Sequence, residues 1–265
     1  MTPQNYYARR TVWCRQRVDL GLLLELVRVE RRYQPRLGGR KLYHLIAPEL
    51  RAAGVKLGRD RFFEELGRAG LLVERKRAPW PRTTRFDANL PVFKNLIKRR
   101  KVDGPNQVWV ADITYIRTRE MFLYLSLLTD QWSRKIVGYH LGETLAAQHT
   151  LQALAMALKG LKDSVGLIHH SDRGCQYASH EYVQAARQAK IRMSMTEQNH
   201  CGENALAERM NGILKQEYGL DETFDGNPEA RRATREGVHL YNTRRPHTCL
   251  GLQTPEEAHG HGSKN

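Results

Sequence analysis

Three carboxylates fall where acidic side chains are unusual unless they do chemistry. Asp112 interrupts QVWVADITYIR (107–117), a run otherwise rich in β-formers. Aspartate is depleted in strand interiors and is costly to bury without a compensating cation. Asp172 follows VGLIHH (165–170), a short apolar strand whose carboxyl end, in an open α/β sheet, borders the ligand crevice. Glu208 lies in CGENALAERMNGILKQEY (201–218), a helical stretch. Taken singly, each is equally a buried or capping acid. Converging from a central strand, an adjacent strand end and a facing helix, the three would form an oxygen-rich set suited to two Mg²⁺ or Mn²⁺ ions. Such a pair, about 3.5–4 Å apart, can activate one oxygen and stabilise the departing one in an in-line phosphoryl displacement.

The helix that carries Glu208 has two faces. At 100° per residue, Leu206, Met210, Ile213 and Leu214 form an apolar stripe. Asn204, Glu208, Asn211, Gly212 and Lys215 cluster within about 100° on the other side. This polar stripe reads either as a solvated surface or as a carboxylate flanked by DNA contacts.

The elements that must position these residues begin at Gln107. Residues 107–117, 122–129 and 135–141 read as an antiparallel meander, followed by a helix (146–161), a strand (165–169), a helix (180–190), a strand (191–195) and the Glu208 helix. The order implies an α/β fold, a mixed five-stranded sheet flanked by helices, and it resembles the ribonuclease H-like fold.

Upstream, residues 18–32, 41–53 and 59–69 have helical periodicity and are joined by glycine turns. They form either a helix-turn-helix unit, with the last helix presenting Arg59, Arg61 and Arg68, or a small basic bundle that holds phosphates. Arg40 and Lys41 belong to the same region. Residues 79–105, basic and carrying Pro79, Pro81, Pro91 and Pro105, read as a linker in which Arg99, Arg100 and Lys101 face phosphates or solvent. The expected division is therefore a helical domain (1–78), a linker (79–105), a catalytic core (106–225) and a helical C-terminal extension (226–265).

Charge points to the partner. The 265 residues carry 43 Lys/Arg and 28 Asp/Glu, a net charge of +15, and all of the excess lies in residues 1–110, which hold 25 basic against 10 acidic side chains. A neutral body with a basic arm suits a polyanion, because each cation placed on a phosphate releases condensed counterions. The four cysteines (Cys14, Cys175, Cys201 and Cys249) form no CxxC pattern, so neither a disulfide framework nor a zinc knuckle is indicated. No run approaches the roughly 20 apolar residues of a membrane span, and the N-terminus lacks a secretory signal's apolar core. No membrane partner and a cytoplasmic, nucleoid-associated location are expected.

The runs QVWVADITYI (107–116), HHSDRGCQYAS (169–179), ENALAERMNGILKQE (203–217) and YNTRRPHTCLGLQTPEEA (241–258) resemble the transposases of two-frame bacterial insertion sequences, specifically the OrfB product with its integrase-type core. The 35 residues between Asp172 and Glu208, and Lys215 seven beyond Glu208, also follow that family's pattern. The resemblance implies that Asp112, Asp172 and Glu208 are DDE metal ligands and that Lys215 contacts transposon-end DNA. It makes His170, Arg173 and Gln176 substrate-side candidates, and Asn204 and Asn211 DNA-side ones. The implied chemistry is attack of water on the phosphodiester at the element's end, freeing a 3′-OH, and then attack of that hydroxyl on a second phosphodiester. A homo-oligomer on DNA is implied, as is an OrfA partner, this chain being the downstream frame. Two other readings stand beside it: a DNA-binding regulator without catalysis, and a ribonuclease H-like nuclease that cuts without joining. Why Arg244, Arg245, Pro246 and His247 stand in the tail is left open between shaping the DNA path and packing on the core.

Overall fold

The computed structural model describes residues 2–73, 90–161, 163–197 and 201–262, with the side chains of 11–19, 201 and 262 excepted. Residues 74–89, which span the end of the expected first domain and the start of the expected linker, lie outside the described residues. The chain divides into two compact units, Met1–Lys76 and Arg77–Asn265.

The first unit is three helices: α1 (Pro3–Tyr33), α2 (Gly39–Ala52) and α3 (Arg59–Arg68). Leu42, Ile46 and Leu50 of α2 recur every fourth residue and meet Phe62 and Leu66 of α3 and Leu23 and Val27 of α1 in one core. Helix α1 begins 15 residues before the helix expected at residue 18. Thr2 caps it by accepting from the Asn5 N–H, and Pro3 occupies its first turn. Residues 3–10 are exposed. Periodicity reports only the part of a helix that packs, so this start was invisible to it.

The second unit is built on a mixed sheet of β1 (Val108–Thr118), β2 (Phe122–Asp130), β3 (Ile136–Gly142), β4 (Ile168–Ser171), β5 (Arg192–Met195) and β6 (Thr223–Phe224). Strand order is β3-β2-β1-β4-β5, the first three antiparallel and β4 and β5 parallel to β1. The five expected strands are present, and β6 adds two residues parallel to the far end of β1. Helices α4 (Ala147–Lys159), α5 (Cys175–Ala178) and α6 (His180–Gln188) accompany one apolar cluster that includes Trp109, Ala111, Leu154, Tyr177 and Met195. Helices α7 (Ala205–Tyr218) and α8 (Asn227–Thr243) close a second with Ile116, Leu125 and Leu127. Crossing of α4 over β3 requires Gly138, since a Cβ there would stand 2.2 Å from the Ala153 carbonyl oxygen. A short helix, α9 (Pro255–Gly262), ends the fold.

One expectation needs correction here, and one open alternative is narrowed. Residues 90–105 are not a free linker: Leu90 and Phe93 join the first cluster, Leu96, Ile97 and Val102 pack beside Val108 and Ile168, and the Leu96 N–H donates to Ser194 Oγ at 2.9 Å. Prolines and scattered apolar residues lack a period even when they are packed. The C-terminal Arg245 is also a core residue, 2% exposed, and it forks onto Glu217 of α7 at 2.7 and 2.8 Å while contacting His247 at 2.8 Å.

Candidate active site

Strand β1 has two edges. Strand β2 pairs along residues 109–117 on one; on the other, β4 pairs at 108–111 and β6 at 117–118. On that second edge, between β4 and β6, no strand among the described residues pairs with residues 112–116. The polar stripe of α7 reaches this gap. Asn204 Nδ2 donates to the Ala111 carbonyl at 3.0 Å, Asn211 Nδ2 donates to Asp112 Oδ2 at 2.7 Å, and the Lys215 ammonium lies 3.7 Å from the centre of the Tyr115 ring.

Asp112 is thus held where the sheet opens, one residue past the Ala111–Ser171 pair, and Asp172 is the residue after Ser171 on the neighbouring strand. Burial pushes the Asp112 carboxyl up to about 7, helped by the negative charge of Asp172 and, more weakly, of Glu208, and opposed by hydrogen bonds from the Ile113 backbone and Asn211. Asp172 is half-buried, and its Oδ1 accepts from the Gly174 N–H at 3.1 Å. A Cβ on Gly174 would sit 3.0 Å from that same oxygen and 3.1 Å from Gln176 Oε1, so glycine keeps this pocket open. Glu208 is exposed in the first turn of α7. Asp112 thus lies within reach of the charge of both other acids. Among the described residues, however, no three His, Cys, Asp or Glu side chains are gathered closely enough to hold a metal ion.

The donor set still fits a hard divalent cation. Carboxylate oxygens are its preferred ligands, and a cation would offset both the burial and the neighbouring negative charge that raise the Asp112 carboxyl.

Other sequence candidates are placed differently from expectation. Asn204, Asn211 and Lys215 are at most 4% exposed, so these three side chains of the stripe face the sheet, while Glu208 stays exposed. Burial lowers the Lys215 ammonium to about 8, against the opposing charges of Asp221 and Asp112. His170 is buried within β4, bonded through Nδ1 to Ser194 Oγ at 2.9 Å, and is no substrate-side neighbour. Gln176 is buried and donates to the Leu145 carbonyl at 3.1 Å. Arg173 is half-buried and donates from Nε to the Thr196 carbonyl at 2.8 Å. Arg40, Arg59, Arg61, Arg99, Arg100 and Lys101 are exposed and Lys41 is half-buried. Arg59 pairs with Asp60 at 2.9 Å and Arg61 with Glu65 at 4.0 Å. Sequence reasoning missed Tyr115 and Gly174; neither carries a signal beyond its place near the acids.

Residues 102–201 match an integrase core domain model, and residues 189–255 match a second one. The chain is 37% identical over 243 residues to a 31 kDa protein of insertion element IS600 from Shigella sonnei, across 91% of this chain and 88% of that protein. It is 34% identical over 246 residues to the InsF transposase of insertion sequence IS3A from Escherichia coli K12, across 92% and 82% respectively. The chain belongs to the transposases of bacterial insertion sequences. A chain of the simian T-cell lymphotropic virus intasome, solved with a PP2A regulatory subunit, shares the fold at a TM-score of 0.53 and 21% identity, covering 84% of the transposase and 74% of that chain. The sheet and helices of the second unit are the ribonuclease H-like fold expected from the order of elements. The transposase is accordingly a polynucleotidyl transferase of the integrase-core type.

Proposed function

We propose that the transposase cleaves DNA at the ends of its element to leave a 3′-OH and joins that end to target DNA, with Asp112, Asp172 and Glu208 as the acids of the reaction. These three would hold divalent ions, Mg²⁺ or Mn²⁺. Bound there, the ions would supply the positive charge that activates the attacking oxygen and stabilises the leaving one. The observation that carries the reading is the placement of Asp112 at the open edge of β1, one residue past the Ala111–Ser171 pair and beside Asp172, where burial and two acidic neighbours raise its carboxyl to about 7. Asn211 holds one Asp112 oxygen in place. Gly174 keeps space beside Asp172.

The terminal repeats and the target DNA are the substrates, gripped by the basic first unit, in which Arg40, Arg59 and Arg61 are exposed. The two ends react together on a homo-oligomer, with the OrfA product as partner, and the reaction runs in the cytoplasm on nucleoid DNA.

The test is joining of pre-cleaved terminal-repeat DNA in Mg²⁺ or Mn²⁺ by wild type and Glu208→Gln, with and without OrfA. Metal-dependent joining by wild type and none by the variant is expected. Binding without joining under every condition favours a regulator, and cutting without joining favours a nuclease.

A further inference from the structure

Past Asp112, β1 runs on to the tip of its hairpin with β2, and that end of the sheet carries an aromatic surface that the reaction above does not use. Phe122 is 42% exposed. Tyr115 meets its ring edge-on, centres 5.5 Å apart, and the Arg117 guanidinium stands 5.3 Å from the same ring. Arg117 pairs in register with Phe122, and Tyr115 with Tyr124, so Tyr115, Arg117 and Phe122 share one face of the sheet. On its inner side Tyr115 carries the Lys215 ammonium. The row therefore reads ammonium, phenol ring, phenyl ring, guanidinium, starting beside the acids and ending in solvent. At the turn Arg119 is occupied by Asp225 at 2.9 Å, and Glu120 is exposed, so Arg117 is the cation that serves the open ring.

Lone exposed aromatics are ordinary. Aromatic rings lined up with cations beside a phosphodiester site are the composition that stacks bases, because every base offers a π-face and the cations offset backbone charge. Arg117 stands five strand positions beyond Asp112, about 16 Å along β1 or about five nucleotides of stacked chain, with Asp112 itself on the alternate face and Lys215 reaching Tyr115 from α7.

We propose that Tyr115, Phe122 and Arg117 form a stacking platform for an unpaired nucleobase of the DNA end held at Asp112, Asp172 and Glu208. The inference rests on the proposed site and adds a specificity for frayed over fully paired ends.

The experiment uses the full chain and two fluorescent probes, a blunt terminal-repeat duplex and the same duplex with an unpaired tail of about five nucleotides. Wild type is expected to prefer the tailed probe about tenfold, as loss of one base–aromatic stack predicts. Phe122→Ala removes the preference and leaves blunt-duplex affinity unchanged. Phe122→Trp keeps the preference, and its added indole emission, taken as the difference from wild type, is quenched by the tailed probe only. An unchanged preference in Phe122→Ala, or no quenching in Phe122→Trp, overturns the platform. So does a change in molar mass of Phe122→Ala by light scattering without a change in preference, which would give the face to a second copy. Joining of pre-cleaved DNA by the same wild-type preparation separates the two readings. Joining without a tail preference sinks the platform alone, and a tail preference without joining under any condition sinks the catalytic assignment.

Discussion

Asn211 is the residue on which the proposed chemistry leans most without being one of its acids. It lies three positions after Glu208 on α7, buried against β1 where Glu208 is exposed. Its amide donates to Asp112 at 2.7 Å. A hydrogen bond to a charged partner is worth about 1.5–3 kcal/mol. Asn211→Leu keeps the volume and loses the donor, so joining should fall about 10- to 100-fold while the thermal midpoint drops by only a few degrees. Parallel rate and melting measurements decide this, and a variant that joins at the wild-type rate would remove Asn211 from the site. The sequence put Asn211 on the correct stripe and gave it the wrong neighbour. Helical spacing names which residues share a face, but what lies opposite depends on a strand about 100 positions away. Asp112 stood out in the sequence because an aspartate in a β-rich run is locally anomalous. The buried state of Lys215 was not, since a lysine on a helix reads as solvated by default.

At the scale of elements, the tail after α8 is tied to α7 by the Arg245–Glu217 pair. Burial alone would lower the Arg245 guanidinium, and Glu217 more than compensates by raising it. Removing the acid strands a buried cation, which costs about 3–5 kcal/mol. Glu217→Ala should therefore lower the denaturation midpoint by several degrees, more than the reverse deletion Arg245→Met, which leaves Glu217 with partial access to water. Equal losses in urea titrations of the two variants would argue against this. Strands β1 to β5 and helices α4, α6 and α7 were legible from period and order, because the strands are short apolar runs and each helix buries one face. The segment 90–105, the α1 start and the tail contacts were not, because their packing has no local repeat.

For the whole molecule, pH is the informative variable. Burial pushes the His169 imidazole down to about 3, and its Nε2 meets the Tyr182 hydroxyl at 2.8 Å. The unfolded chain takes up that proton near pH 6.5 and the folded chain does not, so this contribution is complete above pH 6.5 and is lost as pH falls toward 3. The slope is about 1.4 kcal/mol per pH unit for one group. His170, lowered to about 4, acts in the same direction. His169→Gln should flatten the stability profile between pH 6 and pH 4 by about one proton's worth. Denaturant titrations across that range measure it, and an unaltered slope would count against a neutral buried imidazole.

Because residues 112–116 have helix rather than strand along one edge, the middle of the central strand answers to two different openings. Amides bonded to β2 exchange with deuterium only when the sheet itself comes apart. Those pointing toward α7 exchange whenever that helix lifts, an event of smaller free energy. Deuterium uptake in β1 should therefore be bimodal, the faster set timing the lifting of α7 and the slower set the parting of the sheet.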